Sequence, residues 1–321
     1  MGPGKTRGVR SEPLHPAPRG RSPRLTFVIR ISQYPWGQIP TEWDLIEGFC
    51  EAGASYEGPL PLPRANPPYH IKKAASNFIV HAVRDPLDAP PDSIVAIPLR
   101  KEDMPGWQRV DKSRLLLFTF DCMDTRSRKI FLKKVPSEIP VFATGRWEYL
   151  APHVDWVLIR QGCRSKWPFL TVPIRKKALF VGMLYQKERI EMIEGLDGKV
   201  KNIRRGVYGW RLGQVIPQYK IVLDAPNLVM DHYWSNRIYI MTGWGASYLA
   251  IERQELKLEF GDSVFWTSKS NIVESALNII ETIGEDEIYE KRESAWKQAH
   301  GFHTYRHRAE KWMAKVKEIF F

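Results

Sequence analysis

Several groups of residues in this chain have types and spacings suited to holding an anion. The densest is Tyr233, Ser235, Asn236 and Arg237, followed by the glycine pair Gly243 and Gly245. It stands after a β-rich run at residues 220–223 that stops at Asp224, Pro226 and Asn227, all turn-favouring types. A helix is expected over residues 235–242. Ser235, Asn236 and Arg237 would then lie where a helix start presents free backbone N–H groups, and an arginine fork beside such an end favours phosphate or diphosphate oxygens. Gly182, Lys187 and Arg189 repeat the theme: a strand at 178–182, a glycine-containing loop, and two basic side chains opening a helix over 186–194. Lys187 reads equally well as solvated surface. Asp121 and Asp124 end a nearly continuous apolar run at 114–120, the place where open α/β sheets put ligand-contacting groups, although one of them could instead cap the following helix. Their spacing is not the Asp-x-Asp of a metal site, so no metal is assigned to them. His300, His303 and His307 invite a metal reading, but Gly301 is expected to place His300 and His303 before the last helix. Only Glu310 lies near them as a further ligand, so local hydrogen bonding at the helix start is preferred.

The elements that must position these residues alternate strand and helix. Strands are expected at residues 25–31, 93–97, 114–120, 141–144 and 155–159. A helix over 41–51 has Thr41 as its cap and Trp43, Ile46 and Phe49 on one face, with Trp43 a core residue. A further helix is expected over 71–83, and the proline-rich stretch 55–68 reads as an irregular connection. Residues 162–177, with Pro168 and Pro173, read as a linker. Beyond it, strands are expected at 178–182, 200–203, 220–223 and 247–251. Ile272, Val273, Ala276, Leu277, Ile280 and Ile283 make one helical stripe, and Trp312, Val316 and Ile319 another. The pattern predicts an α/β protein of two domains, at 25–165 and 178–300, with a terminal helix within 301–321 packing back across both.

Composition supports a globular chain: 321 residues with 43% hydrophobic and 12% aromatic content can bury sizeable cores. No apolar run approaches the length of a membrane span, and the first residues lack the apolar stretch of a signal peptide. The cysteines Cys50, Cys122 and Cys163 are odd in number and far apart, which argues against a disulfide framework and for a cytoplasmic setting. Residues 1–24 carry Lys5, Arg7, Arg10, Arg19, Arg21 and Arg24 against Glu12, so a basic tail expected to be disordered holds +5 of the total +12. Gly4, Lys5 and Thr6 lack the upstream glycine and strand of a phosphate-binding loop. The charge suits an anionic partner and leaves nucleotide, nucleic acid and acidic glycan open.

The order Tyr233-x-Ser-Asn-Arg-Ile-Tyr239, a Gly-x-Gly loop, a strand, Val264-Phe-Trp and then His303-x-Tyr305-x-x-Arg308 resembles the C-terminal half of GT-B glycosyltransferases of the CgeB-like, spore-maturation group. The resemblance is fullest over residues 179–308. It implies two Rossmann-like domains facing a cleft, the second holding a nucleotide-sugar donor and the first an acceptor. It also implies transfer without a metal or other cofactor, the nucleotide-sugar being a co-substrate. On this resemblance Arg189 and Arg237 would hold the diphosphate, Gly182, Lys187, Tyr233, Ser235, Asn236, Gly243 and Gly245 would form the donor site, and Asp124 would serve the acceptor as base. The acceptor would be a glycan, a lipid-linked group or a protein, with DNA bases as the alternative and a non-catalytic binding protein as a third reading. Where the family commonly has a glutamate that binds the donor ribose, this chain has Ile240, with Glu252 or Glu255 as possible substitutes.

Overall fold

The computed structural model describes residues 25–30, 41–57, 71, 76–99, 104–120, 123–124, 126–184, 186–203, 209–225, 230 and 232–321. The basic tail, Asp121, Cys122, Arg204, Arg205, Pro226 and Asn227 lie outside them.

The first half forms a seven-stranded, wholly parallel sheet in the order β2-β3-β1-β4-β5-β6-β7. Its strands are β1 (Leu25–Arg30), β2 (Ser55–Glu57), β3 (Phe78–Val83), β4 (Ile94–Pro98), β5 (Leu115–Thr119), β6 (Val141–Ala143) and β7 (Trp156–Leu158). Between them run α1 (Thr41–Glu51), α2 (Met104–Trp107) and α3 (Arg126–Leu132). Every residue of β4 and β5 is buried, which is why both read as continuous apolar runs rather than alternating ones. Two expectations fail here. The helix expected over 71–83 is instead β3, whose Phe-Ile-Val-His-Ala-Val pairs along its whole length with β1, from Leu25 opposite Phe78 to Arg30 opposite Val83. Residues 55–57, read as irregular, form the edge strand β2.

The second half forms a five-stranded parallel sheet in the order β12-β11-β10-β8-β9. These strands are β8 (Lys176–Val181), β9 (Val200–Ile203), β10 (Tyr219–Leu223), β11 (Tyr248–Ile251) and β12 (Phe265–Thr267). The helices are α4 (Lys187–Gly195), α5 (Gly209–Val215), α6 (Arg237–Gly243), α7 (Gln254–Phe260), α8 (Ile272–Thr282), α9 (Glu285–Phe302) and α10 (Tyr305–Phe320). Met192 of α4 and Ile272, Ala276, Ile279 and Ile280 of α8 bury one face of the sheet. Residues from α5, α6, α7 and α9 bury the other. Strand order reverses between β8 and β10, and their carboxyl ends flank the crevice in which open α/β sheets bind ligands.

The chain then returns to its first half. Gly301 does not break the helix before it: α9 runs through to Phe302, and the bend falls at His303 and Thr304. Thr304 and His307 close a reciprocal cap at the start of α10. From there Tyr305, Ala309, Trp312 and Val316 enter the core of the first sheet. The Trp312 ring lies 4.5 Å from Phe142, 5.6 Å from Phe118 and 6.0 Å from Phe27. The outgoing and returning crossings run side by side, with the Cys163 N–H donating to the His303 carbonyl at 2.9 Å and the Tyr305 N–H to the Cys163 carbonyl at 2.8 Å. Among the described residues no helix is long and apolar enough to cross a membrane.

Candidate functional site

At the switch point of the second sheet two guanidiniums converge on one carbonyl. Arg189, in the first turn of α4 and only 6% exposed, donates through Nε to the Ala225 carbonyl at 2.7 Å and through Nη1 to the Met183 carbonyl at 2.8 Å. Arg237, the first residue of α6, reaches the same Ala225 oxygen at 3.4 Å. Both lie over the Phe180 ring, at 5.5 and 5.3 Å from its centroid. Gly182, directly after β8, makes room for them: its φ is +154°, and a Cβ there would stand 3.2 Å from the Arg237 guanidinium.

A third arginine completes the cluster. Arg253, two residues past β11 and buried, sets Nη1 3.2 Å from Asp224, while its Nε and Nη2 have no partner. Asp224, at the end of β10, also lies 3.9 Å from Arg237. Among the described residues two guanidiniums therefore pair with one carboxylate, and the third, Arg189, feels its charge. Burial, and then the charge of Arg237, lowers the pKa of Arg189 to about 10. Burial and the neighbouring Asp224 push the Tyr248 phenol well above its ordinary range. A buried excess of positive charge with neutral acceptors is a site for an anion that can accept several charge-assisted hydrogen bonds.

The other expected donor residues are distributed differently. Ser235 Oγ accepts from the Arg237 N–H at 3.4 Å, and Asn236 occupies the cap position of α6 without a side-chain cap bond. Tyr233 turns toward the first domain, its ring 5.2 Å from that of Trp147. Lys187 is 87% exposed and pairs with Glu191 at 3.3 Å, which makes it surface. Gly243 and Gly245 stand at the far end of α6, away from the arginines. A Cβ on Gly243 would meet Cys163 at 2.6 Å, and one on Gly245 would meet the Phe169 ring at 3.0 Å. Their spacing reflects close packing of the linker on α6 rather than a ligand loop. Ile240 is half-buried and packs on the domain core. Neither acid proposed in its place reaches the cluster: Glu252 pairs with Lys257 at 2.8 Å, and Glu255 pairs with Arg146 and Arg160.

A second group of residues belongs to the first domain and meets residues 232–233 of the second. Asp124, after β5, pairs with Lys129 and accepts from the Tyr149 hydroxyl at 3.2 Å. The Lys129 hydrogen bond holds its carboxyl below the ordinary range. His232 wedges between Trp147 and Tyr149, with ring centroids at 5.5 and 5.3 Å. Its Nε2 is buried and has no partner. The late histidines are structural. His300 lies 3.1 Å from the carbonyls of both Ser165 and Gly243, His303 lies 2.9 Å from Arg308, and His307 caps α10. Among the described residues no group of three or more His, Cys, Asp or Glu side chains is placed to hold a metal ion.

Sequence reasoning missed Arg253, Asp224 as an ion partner, His232 and Arg160. Arg253 had a signal, being a basic residue just past the end of a strand in a ligand-binding type of sheet. His232 and Arg160 had none, since their setting arises where the domains meet.

No family model and no curated protein sequence matches the chain. Solved structures do. A trehalose-6-phosphate protein from E. coli bound with UDP-2-fluoro glucose superposes with a TM-score of 0.58 at 10% identity, over 91% of this chain and 99% of that one. Sucrose-phosphate synthase from Thermosynechococcus elongatus gives 0.58 at 10% identity, over 92% and 99%. A UDP-forming trehalose-phosphate synthase from Burkholderia xenovorans, in complex with glucose-6-phosphate, gives 0.52 at 7% identity, over 72% and 74%. At these identities the likeness is one of fold: the chain has the GT-B architecture of these glycosyltransferases, two Rossmann-like domains with a returning C-terminal helix.

Proposed function

We propose that this protein is a nucleotide-sugar-dependent glycosyltransferase that works without a metal ion. The observation that carries the reading is the pair Arg189 and Arg237 sharing the Ala225 carbonyl at the switch point of the second domain, with Arg253 behind them and, among the described residues, Asp224 as the acid paired with the cluster. A nucleoside diphosphate would offset the cluster's positive charge, and Arg237 at 15% side-chain exposure is open enough to meet it.

In the transfer step the acceptor oxygen bonds to the anomeric carbon as the bond from that carbon to the diphosphate oxygen breaks. The departing diphosphate takes the electron pair. The two guanidiniums neutralise the charge that develops, in a site where burial strengthens the interaction. Asp124, kept ionised by Lys129 and Tyr149, orients the acceptor hydroxyl and takes its proton as the new bond forms, a late transfer because its proton affinity is lowered. Tyr149, 55% exposed beside it, gives a sugar ring an aromatic surface, which favours a glycan among the acceptor classes. The fold neighbours bound with UDP-2-fluoro glucose and with glucose-6-phosphate support the donor and acceptor assignments by analogy. The CgeB-like motif order supports the same reading from the sequence side.

The test is release of nucleoside diphosphate from UDP-, GDP-, ADP- and dTDP-sugars in the presence of EDTA and mixed oligosaccharide acceptors. The wild type turns over one donor, and Arg237→Ala does not. Near-normal turnover by that variant removes the diphosphate assignment.

A further inference from the structure

Arg160 lies just past β7 of the first domain, yet its guanidinium is enclosed largely by the second and is only 7% exposed. Within its own domain it donates to the Thr144 carbonyl. Across the interface it donates to the His232 carbonyl at 2.7 Å, pairs with Glu255, lies 3.7 Å from Glu259 and covers the Trp234 ring at 3.9 Å. Trp234 is held from its other side, its indole N–H donating to the Tyr239 hydroxyl at 2.9 Å, which in turn donates to Glu259 at 2.6 Å. A single side chain of the first domain thus grips residues 232–234 by a backbone carbonyl and an aromatic face. Those residues lead straight into Ser235, Asn236 and Arg237.

We propose that Arg160 is a positioning residue for the anion site of the other domain: it fixes the 232–236 segment so that Arg237 stands beside Arg189 and Ala225. The inference rests on the reading of the arginine cluster as a nucleoside-diphosphate site. Anion affinity in the second domain then depends on a contact made by the first, and by linkage a bound diphosphate favours the docked arrangement of the two domains.

Arg146 provides the control. It pairs with the same Glu255, at 3.0 Å, and is not among the partners of 232–234, so Arg146→Ala removes an interdomain ion pair and leaves the grip on that segment intact. The experiment compares wild type, Arg160→Ala, Arg160→Lys and Arg146→Ala by hydrogen exchange of residues 232–237 and by titration with UDP and inorganic pyrophosphate. Loss of these charge-assisted bonds in Arg160→Ala weakens both ligands by about tenfold and speeds exchange of 232–237. Arg160→Lys falls between, and Arg146→Ala stays within about twofold of wild type. Equal weakening by Arg160→Ala and Arg146→Ala, or none by Arg160→Ala, overturns the proposal. Should the wild type bind neither ligand, the nucleotide reading fails by itself and exchange decides on Arg160: unchanged protection of 232–237 overturns its role. If the alanine variant does not fold, the lysine variant carries the same comparison.

Discussion

Two walls, the arginine cluster of the second domain and the Asp124 surface of the first, handle charge in opposite ways. On the second domain, Arg189, Arg237 and Arg253 gather near one carboxylate and two of them share a neutral carbonyl, so among the described residues this wall holds positive charge in excess. On the first, Asp124 is fully engaged by Lys129 and Tyr149, and what remains is aromatic: Trp147, Tyr149 and the inserted His232. An unsatisfied charge cluster is suited to binding an anion, whereas a neutralised carboxylate among rings is suited to orienting a polar, uncharged partner. Under the proposed function, this difference matches a donor side on the second domain and an acceptor side on the first.

The sharpest way to break that contrast is to remove one charge from each wall. Arg237→Ala is expected to lower nucleoside-diphosphate affinity by about 10- to 100-fold, the value of a charge-assisted hydrogen bond at a largely buried site, without loss of fold. Asp124→Asn leaves that affinity unchanged in the same titration and slows turnover. If both variants lose nucleotide binding equally, the walls are not divided as described.

A second variant separates binding from stability within the arginine cluster. Arg189→Ala strips the donors from the Ala225 and Met183 carbonyls as well as a diphosphate contact, so it costs about 1–3 kcal/mol of stability in addition to affinity, measured by urea unfolding. Arg237→Ala, which loses only a long carbonyl contact, a 3.9 Å approach to Asp224 and a place over the Phe180 ring, is expected to unfold closer to wild type.

Smaller effects follow from titration. The Asp124 carboxyl is held below its ordinary 3.8, so whatever stability the pairing adds is complete above that value and is lost as the pH falls through the lowered one. Lys129→Met removes the main cause and should move the acid limb of turnover upward. An acid limb that stays in place would separate Asp124 from the reaction. At the crossing between domains, burial and then Arg308 lower the pKa of His303 from 6.5 to about 4. The folded state therefore resists a proton that the unfolded state accepts. Its contribution is full above about 6.5 and declines as the pH falls toward 4, and His303→Gln should flatten unfolding stability across that window.

Much of the fold was legible in the sequence because burial on both faces leaves continuous apolar strands, as at 115–119, and because helix signals such as Thr41 followed by Trp43, Ile46 and Phe49 are local. What failed was set by distant partners. Phe78 to Val83 becomes a strand because it slots between β1 and β2, and nothing in its own six residues distinguishes that from a buried helix segment. The site divides the same way. Arg189, Arg237 and Gly182, which the structure brings together, could be singled out because strand-end positions in an α/β sheet are predictable. Gly243 and Gly245 were misplaced because a Gly-x-Gly spacing serves close packing against Cys163 and Phe169 as well as it serves a ligand loop. Arg160 and His232 acquire their surroundings only when residues more than 70 positions apart meet across the cleft, as in the 72-residue separation of the Arg160–His232 bond.

The most direct test of the donor assignment is a thermal-shift titration of the whole chain with UDP, GDP, ADP, dTDP and their sugars, with and without EDTA. A ligand that binds only the folded state raises the melting temperature. The account predicts a selective rise with one nucleotide, retained in EDTA and absent in Arg237→Ala. No shift with any of them, or a shift that Arg237→Ala preserves, would contradict it.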